Sequence, residues 1–439
     1  MVSSLDSAIT ASSFSDEDIA ELFTDAAEIN ALIQVERELA RVQEALQIIP
    51  NGVGKKIHES LAGVEVEPSS LASGFLQDGI PIPALLKILR GQIEPDAASY
   101  LHFGATSHDI LDTALIIRSK SAIKIIEENL NTLVSKLSDL ARNHIATVMI
   151  GRTRNQNAAP IVFGFKVVNW LAPLQRQQQR LNELSTRLLV VQLGGAVGTN
   201  AALDSKGTEL NTSLAAALGL SPSTSPWHAQ RDCIVEFTNW LNLTAGLIGK
   251  MAQDLLLMAQ SEVGEISFGG TGKSSTMPNK SNPVIAETLI SLGNYCRSQA
   301  DLMAQTLMPA HERDGVSMAT ERLAFTPLIC ATGASIKHAI NCLSSLNVNE
   351  EAMHKNLIAD NGRILAEAAV FELCRLMERS QAAEYVAQAC SESLTNNSHM
   401  IDELEKISAV ELDWEALKQP ENYLGSAKEI INKIVGNID

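Results

Sequence analysis

The chain has 439 residues, of which 45% are hydrophobic, and it carries a formal net charge of −17 with a pI near 5.0. This length and apolar content allow a large buried core and two or three domains, so a disordered protein is not expected. The acidic balance argues against nucleic acid or an anionic membrane as a partner, but surface charge is screened over about 8 Å and leaves a small anionic substrate possible.

The cysteines and the N-terminal residues indicate where the protein works. The six cysteines form no CxxC pair, and scattered thiols of this kind are usually reduced in a cytosolic protein. The N-terminus is acidic, with Asp16, Glu17 and Asp18. It lacks the basic segment followed by an apolar segment that would predict a signal peptide. No stretch approaches about eighteen uninterrupted apolar residues, the length of a membrane span. The sequence therefore predicts a soluble cytoplasmic protein without a metal site.

Apolar residues at helical spacing predict long helices through most of the chain. The 105–150 segment contains neither glycine nor proline, and its apolar residues recur mostly three, four or seven positions apart. Similar patterns cover 161–193, 227–265, 283–307 and 322–346. Pro173, Gly246 and Gly249 interrupt two of these segments, where kinks or close helix contacts are expected. The predicted fold class is all-α.

The 269–283 segment reads GGTGKSSTMPNKSNP and predicts a loop that closes over an anionic substrate. Its glycines ease unusual backbone angles, and two adjacent hydroxyls, a lysine and two asparagines follow them. A P-loop is disfavoured, because residue 267, where its first glycine would stand, is a serine and no strand pattern precedes it. A solvated Gly/Ser-rich surface linker remains the alternative.

Part of this loop, SSTMPNKSNP, resembles the signature loop of the fumarase/aspartase superfamily, GSS-x-MP-x-K-x-NP, with Lys273 in place of the leading glycine. Two further blocks of that family follow its order, HFGATSHDILDT (102–113) and GRTRNQNAAP (151–160). The resemblance extends over nearly the whole chain. It is closest to the bacterial 3-carboxy-cis,cis-muconate cycloisomerases, through QLGGAVGTNAAL (192–203), PWHAQRD (226–232), HERDG (311–315) and NYLGSA (422–427).

The resemblance implies an architecture as well as a chemistry. It implies a long central helical bundle that forms a twenty-helix homotetramer core, flanked by two smaller helical domains. Carried over, an N-terminal helical domain covers 1–110, the central helical bundle domain covers 111–355, and a C-terminal helical domain covers 356–439. The family also implies composite active sites built from different subunits, a small polyanionic carboxylate substrate, and no metal or organic cofactor. A monomeric helical protein is the alternative that the periodicity leaves open.

The loop residues resemble the family's base and substrate contacts. Removing a proton next to a carboxylate needs a positioned base, and donors around the developing negative charge. Ser274 resembles the loop base and is flanked by Ser275, and loop amides and cations must stabilise its alkoxide. Lys280 and Asn282 resemble the contacts to a substrate carboxylate. A serine that only binds substrate is the alternative.

The two other blocks supply further candidate substrate contacts. Thr106 and Ser107 precede a helix that is expected to begin near Asp109, so their hydroxyls and the helix amides could bind a carboxylate or serve as a plain N-cap. In the second block, the resemblance implies that Thr153 and Gln156 are donors. Arg152 is expected to order that block and is also a candidate substrate-binding residue.

The second block also departs from the family pattern. Many members carry histidine directly after Arg-Thr and some carry it three residues later, where this chain has Arg154 and Asn157. Neither side chain can serve as a general acid near neutral pH. Glu287 stands where several members place the partner of that histidine. We therefore predict an ion pair between Arg154 and Glu287.

This departure distinguishes between reactions. An amine must be protonated before it leaves, whereas a carboxylate, with a reference pKa of about 4, is already a stable anion. The missing histidine therefore favours a cycloisomerase, in which a carboxylate of the substrate adds to its own double bond and Ser274 handles the carbon proton. Arg322 favours instead a fumarate-releasing lyase of the adenylosuccinate lyase type, since those enzymes carry a substrate-binding arginine there. A catalytically silent tetrameric scaffold is the third hypothesis.

Four histidines lie in the motif blocks and are candidates for the pocket. A histidine on a helix is more often a structural residue than a ligand, so each also has a structural interpretation. They are His102, His108, His228 and His311.

Overall fold

In a computed structural model of the protein, the described residues are 3–269, 272, 276–277 and 280–436. Within them the chain forms nineteen α-helices and four short β-strands, so the predicted helical class is confirmed in its coarse form. The helices are α1 (Ala11–Phe14), α2 (Glu17–Glu21), α3 (Asp25–Ala45), α4 (Val53–Ser60), α5 (Ala72–Asp78), α6 (Ile82–Arg90), α7 (Pro95–Ala98), α8 (Ser107–Asn143), α9 (Phe163–Leu188), α10 (Gly207–Leu218), α11 (Asp232–Met258), α12 (Val284–Ala304), α13 (Gly315–Ser344), α14 (Glu350–Ala359), α15 (Ala366–Leu373), α16 (Arg379–Asn396), α17 (Met400–Ser408), α18 (Trp414–Leu417) and α19 (Ala427–Val435). The strands are β1 (Val148–Thr153), β2 (Gln156–Val162), β3 (Ile266–Phe268) and β4 (Leu346–Val348).

The five predicted long helices are present. The periodic segment without glycine or proline becomes α8, which has 37 residues. The other four periodic segments become α9, α11, α12 and α13. Pro173 lies inside α9, so this proline does not end the helix. Apolar periodicity over more than twenty residues therefore predicted both the type and the position of these elements.

The two small sheets were not predicted. Strands β1 and β2 pair antiparallel around a two-residue turn, Arg154 and Asn155, whose φ angles are +50° and +63°. Positive φ at both central residues is the geometry that matches the twist of a tight hairpin. Strands β3 and β4 also pair antiparallel, with Ser267 opposite Asn347. Both pairs are held by backbone hydrogen bonds, which leave little trace in the side-chain pattern.

The described chain divides into two compact units. The first comprises the residues up to Leu130, Gln177–Gly246 and Ser291–Lys337. Its main apolar cluster includes the fully buried Leu32, Ile57, Leu85 and Leu89, on α3, α4 and α6.

The second unit comprises Asn131–Arg176, Leu247–Ile290 and the residues from His338 onward. Its apolar cluster joins Ile150 of β1 to Leu373, Met400 and Leu404, on α15 and α17. The division into three domains at 110 and 355 stays a prediction.

Among the described residues one helix, α13, is long and apolar enough to cross a membrane by length and composition. Its most apolar stretch is 67% buried inside the protein, which a core helix of a soluble protein also shows. The cysteines all have free thiols, as the scattered spacing predicts. Burial raises the pKa of the Cys296 thiol to about 11, so this thiol is protonated and inert at neutral pH.

Candidate active site

In the first unit, the N-terminal turn of α8 is organised by one buried carboxylate. Helix α8 begins at Ser107, two residues before the predicted start, and Asp109 in its first turn is 1% exposed. The Asp109 Oδ2 atom accepts the Thr106 N–H at 2.9 Å and the Gly195 N–H at 3.0 Å, and Oδ1 accepts the Gly194 N–H at 2.8 Å. An acidic side chain is favourable at this end of a helix. Asp109 therefore fixes the turn that carries Thr106 against the 194–195 loop.

Two histidines of the motif blocks lie beside this carboxylate. The His228 Nε2 atom is 2.8 Å from Asp109 Oδ1, and the His228 ring centroid is 6.0 Å from that of His108. His108 Nε2 is 2.9 Å from the Met318 sulfur, and its buried Nδ1 has no hydrogen-bond partner among the described residues. Burial lowers the pKa of His108, although Asp112 opposes that shift. The imidazole of His108 is therefore neutral at physiological pH.

The other two histidines differ in surroundings. His102 Nδ1 lies 2.6 Å from the buried Glu36 carboxylate. Burial alone would lower the pKa of His102, but the hydrogen bond to Glu36 raises it. His311 is exposed and has a φ of +55°. Three of the four histidines therefore make specific buried or half-buried contacts, and His311 lies at the surface.

A second carboxylate of α8 belongs to a buried ion-pair network. Arg231 donates from Nη1 and Nη2 to Asp112 at 3.1 Å each, and from Nε and Nη2 to Glu321 at 2.7 and 2.5 Å. Its guanidinium also lies 5.0 Å from the Trp227 ring centroid. Burial alone would lower the pKa of Arg231, but Asp112 and Glu321 raise it. Removing one partner of such a buried pair typically costs about 3–5 kcal/mol.

The side chains of the Asp112–Arg231–Glu321 network are almost fully buried. The network borders a cavity of about 30 Å³, which has room for roughly one water molecule. Burial raises the pKa of Glu321, although Arg231 opposes that shift. The network therefore joins α8, the 226–232 block and α13, and fixes their geometry. This network was not predicted, although the spacing of Asp109 and Asp112 places both carboxylates on one helix face.

Arg313 is a further candidate, which was not among the predicted site residues. Its Nη1 atom donates to the Thr106 hydroxyl, and the side chain is exposed. The next residue, Asp314, accepts the Val316 N–H at 2.8 Å and so ends the preceding loop at the start of α13. Thr106, Ser107, the amides of the first turn of α8 and the Arg313 cation together form a site suited to a carboxylate.

Arg322 on α13 borders a second cavity of the first unit, whose lining also includes Asp112 and Glu321. Its guanidinium donates to Glu28 at 2.5 and 3.2 Å and lies 5.4 Å from the Phe75 ring centroid. Arg118 is 3.9 Å from the same carboxylate, and both arginines border a cavity of about 190 Å³. The substrate-binding role of Arg322 stays a prediction, and its charge is paired with Glu28.

The second block lies in the second unit and forms the β1–β2 hairpin. Arg152 donates to both oxygens of the fully buried Glu265 at 2.7 and 2.8 Å. Thr153 and Gln156 are opposite each other at the end of the hairpin, and both are exposed. Asn157 donates to Asp360 at 3.1 Å. The ordering role of Arg152 stays a prediction, which its two hydrogen bonds to Glu265 support. The Thr153 hydroxyl and the Gln156 amide at the hairpin end are exposed.

The predicted ion pair between Arg154 and Glu287 stays a prediction. Arg154 is exposed in the tight turn of the hairpin, and Glu287 is exposed in the first turn of α12. An acidic residue in that turn is also favoured by the helix dipole.

The signature loop is described only in part. Ser274 and Ser275 lie outside the described residues, so their roles as base and supporting hydroxyl stay predictions. Asn282 donates its N–H to the Gly272 carbonyl at 2.8 Å, and Lys280 is exposed. Gly272 has a φ of +81°, and a Cβ atom there would collide with the Asn282 carbonyl. Glycine is therefore required at this position of the loop.

Comparisons with known proteins agree with the motifs. A family model described as lyase matches residues 15–295. The 3-carboxy-cis,cis-muconate cycloisomerase of Acinetobacter baylyi is 31% identical over 442 residues, which cover 98% of each protein. The adenylosuccinate lyase of Methanocaldococcus jannaschii is 32% identical over 418 residues, covering 93% of this chain and 90% of that protein. The crystal structure of 3-carboxy-cis,cis-muconate lactonizing enzyme from Pseudomonas putida superposes with a TM-score of 0.90 at 32% identity, covering 97% of each chain.

Proposed function

This chain belongs to the fumarase/aspartase superfamily of lyases, and we propose that it is a 3-carboxy-cis,cis-muconate cycloisomerase or acts on a closely related polycarboxylate. The observation that carries this proposal is the similarity to cycloisomerases over nearly the full length of both partners. The activity is the addition of one substrate carboxylate to a double bond of the same molecule, and the reverse elimination.

Recognition of the substrate rests on donors from all three motif blocks. Thr106, Ser107 and Arg313 bind one carboxylate at the N-terminus of α8, where backbone amides and a guanidinium favour an anion. Lys280 and Asn282 in the signature loop contact another carboxylate. In the second block, Thr153 and Gln156 are exposed donors at the hairpin end and complete the polar surroundings of the substrate.

Proton transfer is assigned to Ser274. A carboxylate oxygen of the substrate forms a bond to one alkene carbon while the neighbouring carbon takes the proton of the Ser274 hydroxyl, which solvent later restores. The substrate loses no atom, so the reaction needs no leaving-group acid. The attacking oxygen is already ionised, since carboxyl groups have a reference pKa of about 4. Arg154 and Asn157, where other members carry histidine, are compatible with this chemistry.

A fumarate-releasing lyase is the second candidate, favoured by the similarity to adenylosuccinate lyase and by Arg322. In that reaction Arg322 would have to exchange its bond to Glu28 for one to substrate. Protonation of a leaving amine would also need an acid that the second block lacks. A tetrameric scaffold without turnover is the third candidate, motivated by Arg154 and Asn157, which stand where other members carry histidine.

One assay distinguishes the three candidates. The protein is incubated separately with 3-carboxy-cis,cis-muconate, adenylosuccinate and argininosuccinate, and ultraviolet absorbance is followed. Loss of the diene with formation of a lactone supports the cycloisomerase. Appearance of fumarate from either succinate derivative supports the lyase. Intact oligomers that turn over none of the three substrates support the scaffold and refute both enzymes.

The proposed assembly is a homotetramer whose composite sites combine the three blocks from different subunits. Large apolar side chains that are exposed on the long helices would be covered by a subunit interface in such an assembly. They include Leu243 on α11, Leu302 on α12 and Leu323 on α13. The free thiols support a location in the reducing cytoplasm.

A further inference from the structure

The signature loop begins at a buried carboxylate that the reaction itself does not use. Glu265 is 0% exposed and directly precedes β3, which leads into the 269–283 segment. A buried carboxylate is costly unless it is paired and hydrogen-bonded. Its position and its partners therefore need a structural explanation.

Glu265 contacts elements that are far apart in the sequence. Its two oxygens accept the bidentate pair from Arg152 on β1, and Oε1 also accepts Asn356 Nδ2 of α14 at 3.1 Å. Asn356 Nδ2 is also 2.8 Å from the Val263 carbonyl, in the turn that precedes β3. One side chain thus joins the second motif block, the strand before the signature loop, and α14.

The backbone of Glu265 strengthens the same junction. Its N–H donates to the Met258 carbonyl at the end of α11, at 3.0 Å. Its carbonyl accepts the Asn349 N–H at 2.9 Å, next to the β3–β4 pair. Gly269 then donates its N–H to the Ser345 carbonyl at 2.8 Å, which closes the ladder where the loop begins. The start of the loop is therefore held from both the side chain and the backbone of one residue.

We propose that Glu265 is a positioning residue: through Arg152 it holds the Thr153–Gln156 hairpin end and the start of the signature loop in one fixed arrangement. This inference rests on the proposed function, because it assigns the hairpin and the loop to the catalytic sites of the proposed tetramer. Arg152 accordingly supports substrate binding indirectly, because its guanidinium pairs with Glu265 and so fixes the hairpin that carries Thr153 and Gln156. The bidentate geometry restricts rotation as well as distance, which a single hydrogen bond would not.

The test compares two isosteric changes in the second unit. Glu265→Gln keeps the shape but removes the charge that faces Arg152. Glu403→Gln on α17 is the matched control. Glu403 is 3% exposed, and its carboxylate accepts hydrogen bonds from Lys406 Nζ at 2.9 Å and from the Ser398 hydroxyl at 2.5 Å. We expect Glu265→Gln to lower kcat on the order of 10²-fold, since small misplacements of catalytic groups have costs of that size. Glu403→Gln should leave kcat unchanged.

Hydrogen exchange supplies a readout that does not depend on turnover. Glu265→Gln should speed amide exchange about tenfold or more in peptides covering 148–162 and 259–269, through easier local opening, and leave 400–408 unchanged. Glu403→Gln should show the opposite distribution. Asn356→Ala, which keeps the ion pair, should give a smaller change at 259–269. Combining Glu265→Gln with Arg152→Gln should change exchange little beyond either single variant.

The outcomes separate this inference from the proposed function. If the amides of 148–162 and 259–269 exchange in Glu265→Gln at the same rate as in the wild-type protein, the positioning role is overturned, whatever the substrate. Additive effects of Glu265→Gln and Arg152→Gln would also overturn it. If wild-type protein converts none of the assayed substrates but the exchange pattern follows the expectation, the structural junction stands and the proposed function fails.

Discussion

Replacing Asp109 by asparagine should disturb both the stability of the first unit and the binding of substrate. The carboxylate accepts three backbone N–H groups and contacts His228, and it is almost fully buried. Asparagine has only one accepting oxygen. If the asparagine NH₂ group takes the place of Oδ1, next to His228, the Gly194 N–H loses its acceptor. If the NH₂ group takes the place of Oδ2, the N–H groups of Thr106 and Gly195 both lose theirs.

The magnitude follows from the number of bonds lost. A hydrogen bond to a charged group contributes about 1.5–3 kcal/mol, so Asp109→Asn should lower the free energy of unfolding by about 1.5–3 kcal/mol for one lost bond and about 3–6 kcal/mol for two. The turn that carries Thr106 also loses its anchor. The value of kcat/KM should therefore fall on the order of 10²-fold, mainly through KM.

Urea unfolding at one fixed protein concentration measures the first effect, and steady-state lactonisation measures the second. Asp139→Asn is the control, because Asp139 is 64% exposed and pairs with Arg142 on the same helix, α8. Such surface pairs contribute about 0–1 kcal/mol. The reasoning is refuted if Asp109→Asn unfolds at the same urea concentration as the control and keeps the wild-type KM.

Four further outcomes are expected. Ser274→Ala should lower lactonisation by about 10²–10⁴-fold, the usual contribution of general acid–base catalysis, with the circular dichroism spectrum unchanged; full activity would remove Ser274 from the mechanism. Arg313→Gln should raise KM about tenfold or more, since it removes a cation from the carboxylate site, and an unchanged KM would exclude that contact. Because the folded-state pKa of His102 is raised above its unfolded value of about 6.5, its stabilising effect is complete below that value and is lost as the pH rises through the folded pKa. The stability lost in His102→Gln, measured by urea unfolding, should thus be larger near pH 5.5 than near pH 8.5, and an equal or reversed difference would contradict the assignment. A double-mutant cycle on Arg154 and Glu287 should give a nonzero coupling energy, and simple additivity would exclude the predicted ion pair.

The long helices could be predicted from the sequence because the signal is local. Apolar residues at a helical period over segments such as 105–150 define a buried face without knowledge of the partner. The start of α8 was predicted two residues late, within the uncertainty of helix boundaries. The β1–β2 hairpin was missed, because Arg154 and Asn155 are not the Asn-Gly or Asp-Gly pair that usually identifies such a turn.

The candidate site was predicted only where motifs name single residues. Thr106 and Ser107 lie at a helix N-terminus with a cation beside them, as a carboxylate site requires. The buried networks were missed because each joins side chains that are distant in the sequence, such as Asp112 and Arg231. Residue spacing along one helix shows which side chains share a face but not which other segment packs on that face.

The contacts of Asp109 and Asp112 also set the order in which the proposed anion site can form during synthesis. The first turns of α8 are held by Gly194, His228 and Arg231, and Arg231 in turn is held by Glu321. Contacts between residues so distant in sequence form late, because the intervening chain must first be ordered. A nascent chain that stops before residue 321 therefore lacks the complete support of this helix start, so the proposed anion site can form only late in synthesis.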